Sequence, residues 1–182
     1  MNRLYPHRKI PIGISSCLLG EQVRYDGGHR HNSLITTQLS GIFEFRPLCP
    51  EVAIGLGVPR QPIQLVHTAQ GIRVRGVHKP ELDVTRKLQA YGQQVASGYT
   101  DICGYIFKAH SPSCGTRGVA TWTEQGNGDG TNGIGAYAAA LISAIPGLPT
   151  IDEAALQDPA QRQHFITEVT GWYQKNHAGK PG

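Results

Sequence analysis

The sequence predicts an α/β fold: one domain built on a mostly parallel, doubly wound (Rossmann-like) sheet, with one β-hairpin excursion. Three observations lead there. Residues 10–14 are a short apolar run that reads as a buried strand, and residues 43–48 and 104–108 are further strand-like runs. Segments of helical character separate them, the alternation that builds a parallel sheet. Each run also ends near a cysteine set among serine, proline, glutamate or glycine: Cys17, Cys49 and Cys114. Open parallel sheets bind ligands just beyond the carboxyl ends of their strands, so the three cysteines are expected to meet there.

Taken in order, residues 10–14 lead into Ser15, Ser16 and Cys17 and then a polar, glycine-rich loop. Residues 32–39 have a polar cap and a short helical pattern that returns the chain to the run at 43–48, a right-handed crossover by default. The stretch from Glu51 to Pro62 is rich in glycine and proline and reads as a shaped loop. Residues 63–66 and 72–77, split by Ala69, Gln70 and Gly71, form the hairpin. A helix follows with Asp83 as its N-cap; Val84, Leu88, Tyr91 and Val95 lie on one face, and Gly98 closes it. The third main strand begins at about Ile102, and residues 119–123 make a further short strand. Residues 124–133, with four glycines and two asparagines, form an exposed loop. An alanine-rich helix is expected over 134–145, stopped by Pro146 and Gly147, and a last strand over 148–151. Asp158 and Pro159 open the final helix as N-cap and first-turn proline, with Phe165, Ile166, Val169, Trp172 and Tyr173 on its apolar face. The domain is thus expected over 9–175, with tails at 1–8 and 176–182.

Composition narrows the function classes. No run is long enough to span a bilayer and no signal-peptide pattern opens the chain, so a cytoplasmic protein without a membrane partner is expected. The net charge of +4 suits approach to an anion but is weak support for nucleic acid without a clustered basic face. Arg73, Arg75, His78 and Lys79 form the clearest such cluster and read as a solvated edge. Four cysteines without a secretion signal argue against a disulfide framework, and no Cys-x-x-Cys spacing supports a zinc ribbon or a redox motif.

Three converging thiols leave two metal readings open beside that of free buried cysteines. One is zinc, with His29, His31 or His110 as fourth ligand. The other is an iron–sulfur cluster held by three cysteines, with one iron open to substrate. Otherwise His29 and His31 read as surface or hydrogen-bonding residues. Cys103 stands at the opposite end of its strand from these loops and reads as a small core residue. Arg24, Tyr25 and Asp26 after the first cysteine loop, and Lys108 before the third, supply the hydrogen bonds and stacking face that a ring-shaped substrate needs. Asp26 is also suited to form the turn at Gly27 and Gly28.

The four motifs Ile-Ser-Ser-Cys-Leu-Leu-Gly, Val-Arg-Tyr-Asp-Gly-Gly-His, Cys-Pro-Glu-Val-x-Ile-Gly-Leu-Gly-Val-Pro-Arg-x-Pro-Ile and Ser-Pro-Ser-Cys-Gly together resemble the DUF523 family. That family includes the TudS-type thiouracil desulfurases and the TudS domain of tRNA 4-thiouridine desulfidases. The resemblance spans about residues 9 to 175. It implies a [4Fe-4S] cluster held by Cys17, Cys49 and Cys114, with Glu51 and Ser111 catalytic. It also implies removal of sulfur from a thiolated pyrimidine (2-thiouracil, 4-thiouracil or thiouridine) without net redox change. The tRNA-acting relatives usually carry a further C-terminal domain that this chain does not contain, so a free base or nucleoside is the expected substrate, ahead of tRNA. Two other classes stand beside this one: an RNA-binding module that needs a partner domain for catalysis, and a zinc-stabilised structural protein.

Overall fold

The computed structural model describes residues 8–130 and 132–177. At its centre lies Ile10–Ser15 (β1), six consecutive buried residues. Phe43–Leu48 (β2) pairs with it on one side, in parallel from Ile10↔Phe43 to Ser15↔Leu48. Numbering strands along the chain, Ile63–Thr68 is β3, Gly71–Gly76 is β4, Tyr105–Phe107 is β5, Thr121–Thr123 is β6 and Thr150–Asp152 is β7. The first sheet runs β2-β1-β5-β7, all parallel, so the order reverses at β1 as in a doubly wound fold.

Alternation along the central strands divides the interior in two. Ile10, Ile12, Ile14, Phe43 and Ile106 face one side, against the final helix Pro159–His177 (α4) and the π-helical turn Ile35–Leu39. On the other side Tyr105 and Phe107 meet the helices Thr85–Gly98 (α2) and Ala136–Ala144 (α3) and the second sheet. A buried strand covered on both faces reads in sequence as an unbroken apolar run, which is why β1 was legible. Gly13 is required within it: a Cβ there would lie 2.3 Å from the Tyr105 ring.

The hairpin β3–β4 forms as expected, in antiparallel register from Ile63↔Gly76 to Thr68↔Gly71. It is not a bare excursion, because β6 adds to β3 in parallel and makes a three-stranded sheet, β4-β3-β6. The expected loop over 124–133 folds back on that strand through the bridges Trp122↔Gly128 and Val119↔Gly133.

Other boundaries shift for local reasons. The loop expected from Glu51 begins with one helical turn, Pro50–Ala53 (α1), where proline at the first position needs no hydrogen bond. The N-cap position of α2 is Val84, and Asp83 acts from one residue before it, its Oδ1 accepting from Thr85 N at 3.0 Å. Asp158 caps α4 as expected, accepting from Ala160 N at 2.8 Å and Gln161 N at 3.3 Å. The expected tail from 176 gives way to α4 as far as His177, while 1–7 and 178–182 lie outside the described residues. Among the described residues no helix is long and apolar enough to cross a membrane.

Candidate active site

The three main strands deliver their cysteines to one place. Cys17 lies in the 3-10 turn Ser16–Leu19 that β1 runs into. Cys49 is the hinge between β2 and α1. Cys114 ends the loop that follows β5 and rests on the start of α3. There Gly135 N donates to Gly115 O at 2.7 Å and Ala136 N to Pro112 O at 3.1 Å. Gly135 is the second glycine the fold requires, since a Cβ on it would lie 2.4 Å from the Ser113 carbonyl. Helix α3 thus has its first free N–H groups satisfied by the Ser-Pro-Ser-Cys loop, which holds Cys114 in place.

All three thiols line a single cavity of about 300 Å³, together with Glu51 and Ser111. None forms a disulfide. Burial favours the neutral thiol at each position. It pushes Cys17 up to about 11 against the opposing pull of Lys108, and Cys114 well above its ordinary value against a hydrogen bond from Ser15. Cys49 is also raised by burial. Soft donors kept neutral by a dry wall ionise when a metal supplies the missing positive charge, so the donor set fits a thiolate-bound metal centre. Among the described residues no group of three or more His, Cys, Asp or Glu is arranged to hold one metal ion. Cys17, Cys49 and Cys114 are the residues on this cavity that could hold an iron–sulfur cluster.

Of the histidines considered for zinc, His29 and His31 stand outside the cavity lining and only His110 is part of it. His29 Nδ1 accepts from His31 N at 3.1 Å, and His31 Nε2 lies 3.1 Å from Thr36 Oγ1. His110 lines the cavity, with Nδ1 3.3 Å from Gly118 O. Cys103 is buried at the far end of β5, donates to Asp101 O at 3.3 Å and is pushed up to about 12 by burial.

Glu51 is gripped from both sides. Arg60 Nε donates to its Oε2 at 2.8 Å, and the Ser113 hydroxyl donates to its Oε1 at 2.8 Å. Ser111 instead turns its Oγ to the backbone, accepting from Ser113 N at 3.2 Å and Cys114 N at 3.1 Å. Those contacts use its lone pairs and leave its proton to donate.

The residues expected to bind substrate divide. Arg24 and Tyr25 line the cavity, with the Arg24 guanidinium 5.3 Å from the Tyr25 ring centre. Arg24 Nε is buried and has no hydrogen-bond partner among the described residues. Lys108 also lines the cavity, but its Nζ is held by Glu153 and by Ala109 O at 2.9 Å. Asp26 stands apart from the lining. Its carboxylate accepts from Gly28 N at 3.0 Å, and that N–H holds it below its usual range, so it serves the turn.

Sequence reasoning assigned no role to Arg60 or Ser113. The signal for Arg60 was a charged residue enclosed by prolines, in a loop too rigid to leave it free in solvent. Nothing in Ser-Pro-Ser-Cys tells which serine reaches Glu51.

Residues 12–153 match the family model described as 2-thiouracil desulfurase. The chain is 30% identical over 158 residues to the uncharacterized protein YbbK of Bacillus subtilis (strain 168), covering 81% of this chain and 98% of that protein. Among solved structures it is similar to one titled [4Fe-4S]-dependent thiouracil desulfidase TudS (DUF523Vcz). The TM-score is 0.63 and the identity 31%, over 86% of this chain and 99% of that one.

Proposed function

The chain belongs to the 2-thiouracil desulfurase family, and from that premise we propose that it is a [4Fe-4S]-dependent desulfidase of thiolated pyrimidines. It removes sulfur from 2-thiouracil, 4-thiouracil or thiouridine by hydrolysis, giving uracil or uridine and hydrosulfide. The observation that carries this reading is the placement of three thiols, a carboxylate and a free hydroxyl proton on one cavity wall.

Cys17, Cys49 and Cys114 are the residues that would hold the cluster. When bound, it would supply an open iron as a Lewis acid for a soft thiocarbonyl sulfur. The protein's own groups do the rest. Glu51 keeps acceptor capacity beyond its two clamped contacts, because an ionised carboxylate offers about four lone-pair sites. It takes a proton from the attacking water, and Ser111 relays a proton to the pyrimidine ring, its hydroxyl being restored from solvent. Positioned proton transfers of this kind contribute about 10²–10⁴-fold in rate. Tyr25 offers a face for the ring, and Arg24 Nε, which lies 3.6 Å from Asp26 Oδ1 without a hydrogen bond, offers the ring edge a donor.

The test is anaerobic purification followed by iron and sulfide analysis, with a 2-thiouracil turnover assay on the same sample. Iron and sulfide in equal amounts, with uracil formed, is the expected result. Protein that binds zinc in place of iron, or a loaded cluster that leaves every thiopyrimidine untouched, would overturn the reading.

A further inference from the structure

Arg60 carries a full charge on a side chain only 6% exposed, so its partners define why it is there. Each nitrogen of the guanidinium is used. Nε holds Glu51 Oε2 at 2.8 Å, Nη1 holds Gly57 O at 2.8 Å and Nη2 holds Val23 O at 2.9 Å. Its backbone N–H adds a fourth tie, to Tyr25 O at 2.9 Å. One residue therefore joins the loop after Cys17, the helical turn after Cys49 and the proline-rich wall.

We infer that Arg60 is the positioning residue for Glu51, fixing the carboxylate in the cavity by a planar fork anchored on Val23 and Gly57. The inference rests on the proposed role of Glu51 in proton transfer. A glutamate has three side-chain torsions, and on the one-turn helix α1 little else restrains them. With Oε2 fixed by Arg60 and Oε1 by Ser113, its remaining lone pairs point in one set of directions. Lysine could replace the charge but not the geometry, since a single ammonium cannot span three acceptors on separate segments with planar order. The Cys49 sulfur lies 3.8 Å from the Val23 carbonyl, so Arg60 and Cys49 meet at one backbone acceptor.

The test compares cluster-loaded wild type with Glu51→Gln, Arg60→Lys, Arg60→Gln and the Glu51→Gln/Arg60→Gln double variant. Each is measured for kcat, KM for 2-thiouracil and iron content. Arg60→Lys should retain iron and KM while kcat falls by about 10²-fold, the scale of a misplaced catalytic group. In the Glu51→Gln background, removing Arg60 should lower kcat little further. Urea unfolding of the cluster-free protein gives a readout independent of turnover: Arg60→Gln should lower the midpoint much more in the wild-type background than in the Glu51→Gln background. Wild-type kcat in Arg60→Lys with Glu51→Gln inactive would overturn the role of Arg60 and leave that of Glu51 intact. A fully active Glu51→Gln would overturn both. Loss of iron in Arg60→Lys, or equal midpoint shifts in the two backgrounds, would make Arg60 a general structural residue and overturn the inference.

Discussion

Ser15 Oγ accepts the backbone N–H of Lys108 at 3.0 Å, at the point where the ladder between β1 and β5 has run out. The two strands pair only at Gly13↔Tyr105 and Ile14↔Ile106. One step further, a side chain replaces the backbone partner and holds the strand ends together where two of the three cysteine loops depart. Ser15 is 2% exposed and also hydrogen-bonds the Cys114 sulfur. Ser15→Ala removes the partner of the Lys108 N–H at the cavity wall. The expected cost is about 1–3 kcal/mol, the desolvation penalty of an unsatisfied polar group. Urea unfolding of the cluster-free protein measures it, and an unchanged midpoint would mean that water replaces the hydroxyl.

The cysteines should separate cleanly under substitution. Cys17→Ala, Cys49→Ala and Cys114→Ala are each expected to lose most bound iron and all measurable turnover, since each removes one of the three thiols on the cavity. Cys103→Ala removes a sulfur from the core, remote from that cavity, at a cost of about 1 kcal/mol. It should keep its iron. Iron per chain after anaerobic reconstitution reads all four; retention in any of the first three, or loss in the fourth, would refute the ligand assignment.

Asp83 should make stability depend on acid. Burial alone would raise its carboxyl, but the hydrogen bonds from Arg73 and Thr85 outweigh that and bring it down to about 2. In the unfolded chain the group titrates near 3.9, roughly. A folded value below the unfolded one adds stability above about pH 4, and that stability is lost as pH falls towards 2. Asp83→Asn retains an oxygen to accept from Thr85 N and removes the charge together with the acceptor for Arg73 Nε. The variant should be less stable than wild type by about 1–2 kcal/mol at pH 7, after allowance for solvent screening. The gap should close between pH 4 and pH 2, as measured by urea midpoints across that range. A gap constant with pH would show that charge is not the cause.

What could be read from sequence follows from how local each signal is. β1 and β5 are buried along their whole length, so burial wrote them as apolar runs whatever their neighbours, whereas β2 is an edge strand with Glu44 and Arg46 half-buried and Pro47 exposed. The cysteines at their ends could be placed together because a parallel sheet puts all carboxyl ends on one edge. Strand β6 is three residues long, and its pairing with β3 spans more than fifty residues of chain. No periodicity can show a pairing of that kind. The same limit applies inside the site. Glu51 and the Ser-Pro-Ser-Cys loop were both legible as parts of it. That Glu51 is bonded to Ser113, while Ser111 turns to the backbone, depends on how that loop caps α3. Asp26 carried two readings, and the turn at Gly28 took it because an N–H two residues away is a partner already in reach.

Substrate size is the last matter that the charges address. A thiolated base in folded tRNA must be turned out of its stack before its sulfur reaches a cavity wall, at a cost of about a few kcal/mol. Proteins that do this draw affinity from phosphate contacts, which makes binding fall steeply with salt. The clearest basic cluster of this sequence does not offer such contacts freely. Arg73 is paired with Asp83 at 2.8 Å and Arg75 with Glu124 at 2.9 Å. The net charge of +4 leaves little excess elsewhere. Free 2-thiouracil or 4-thiouridine should therefore be turned over with higher kcat/KM than thiolated tRNA, and with little dependence on salt. Measuring kcat/KM for the three substrates at low and moderate salt decides it. A preference for tRNA that fades as salt rises would show that a phosphate-binding surface lies outside the cluster of Arg73 and Arg75.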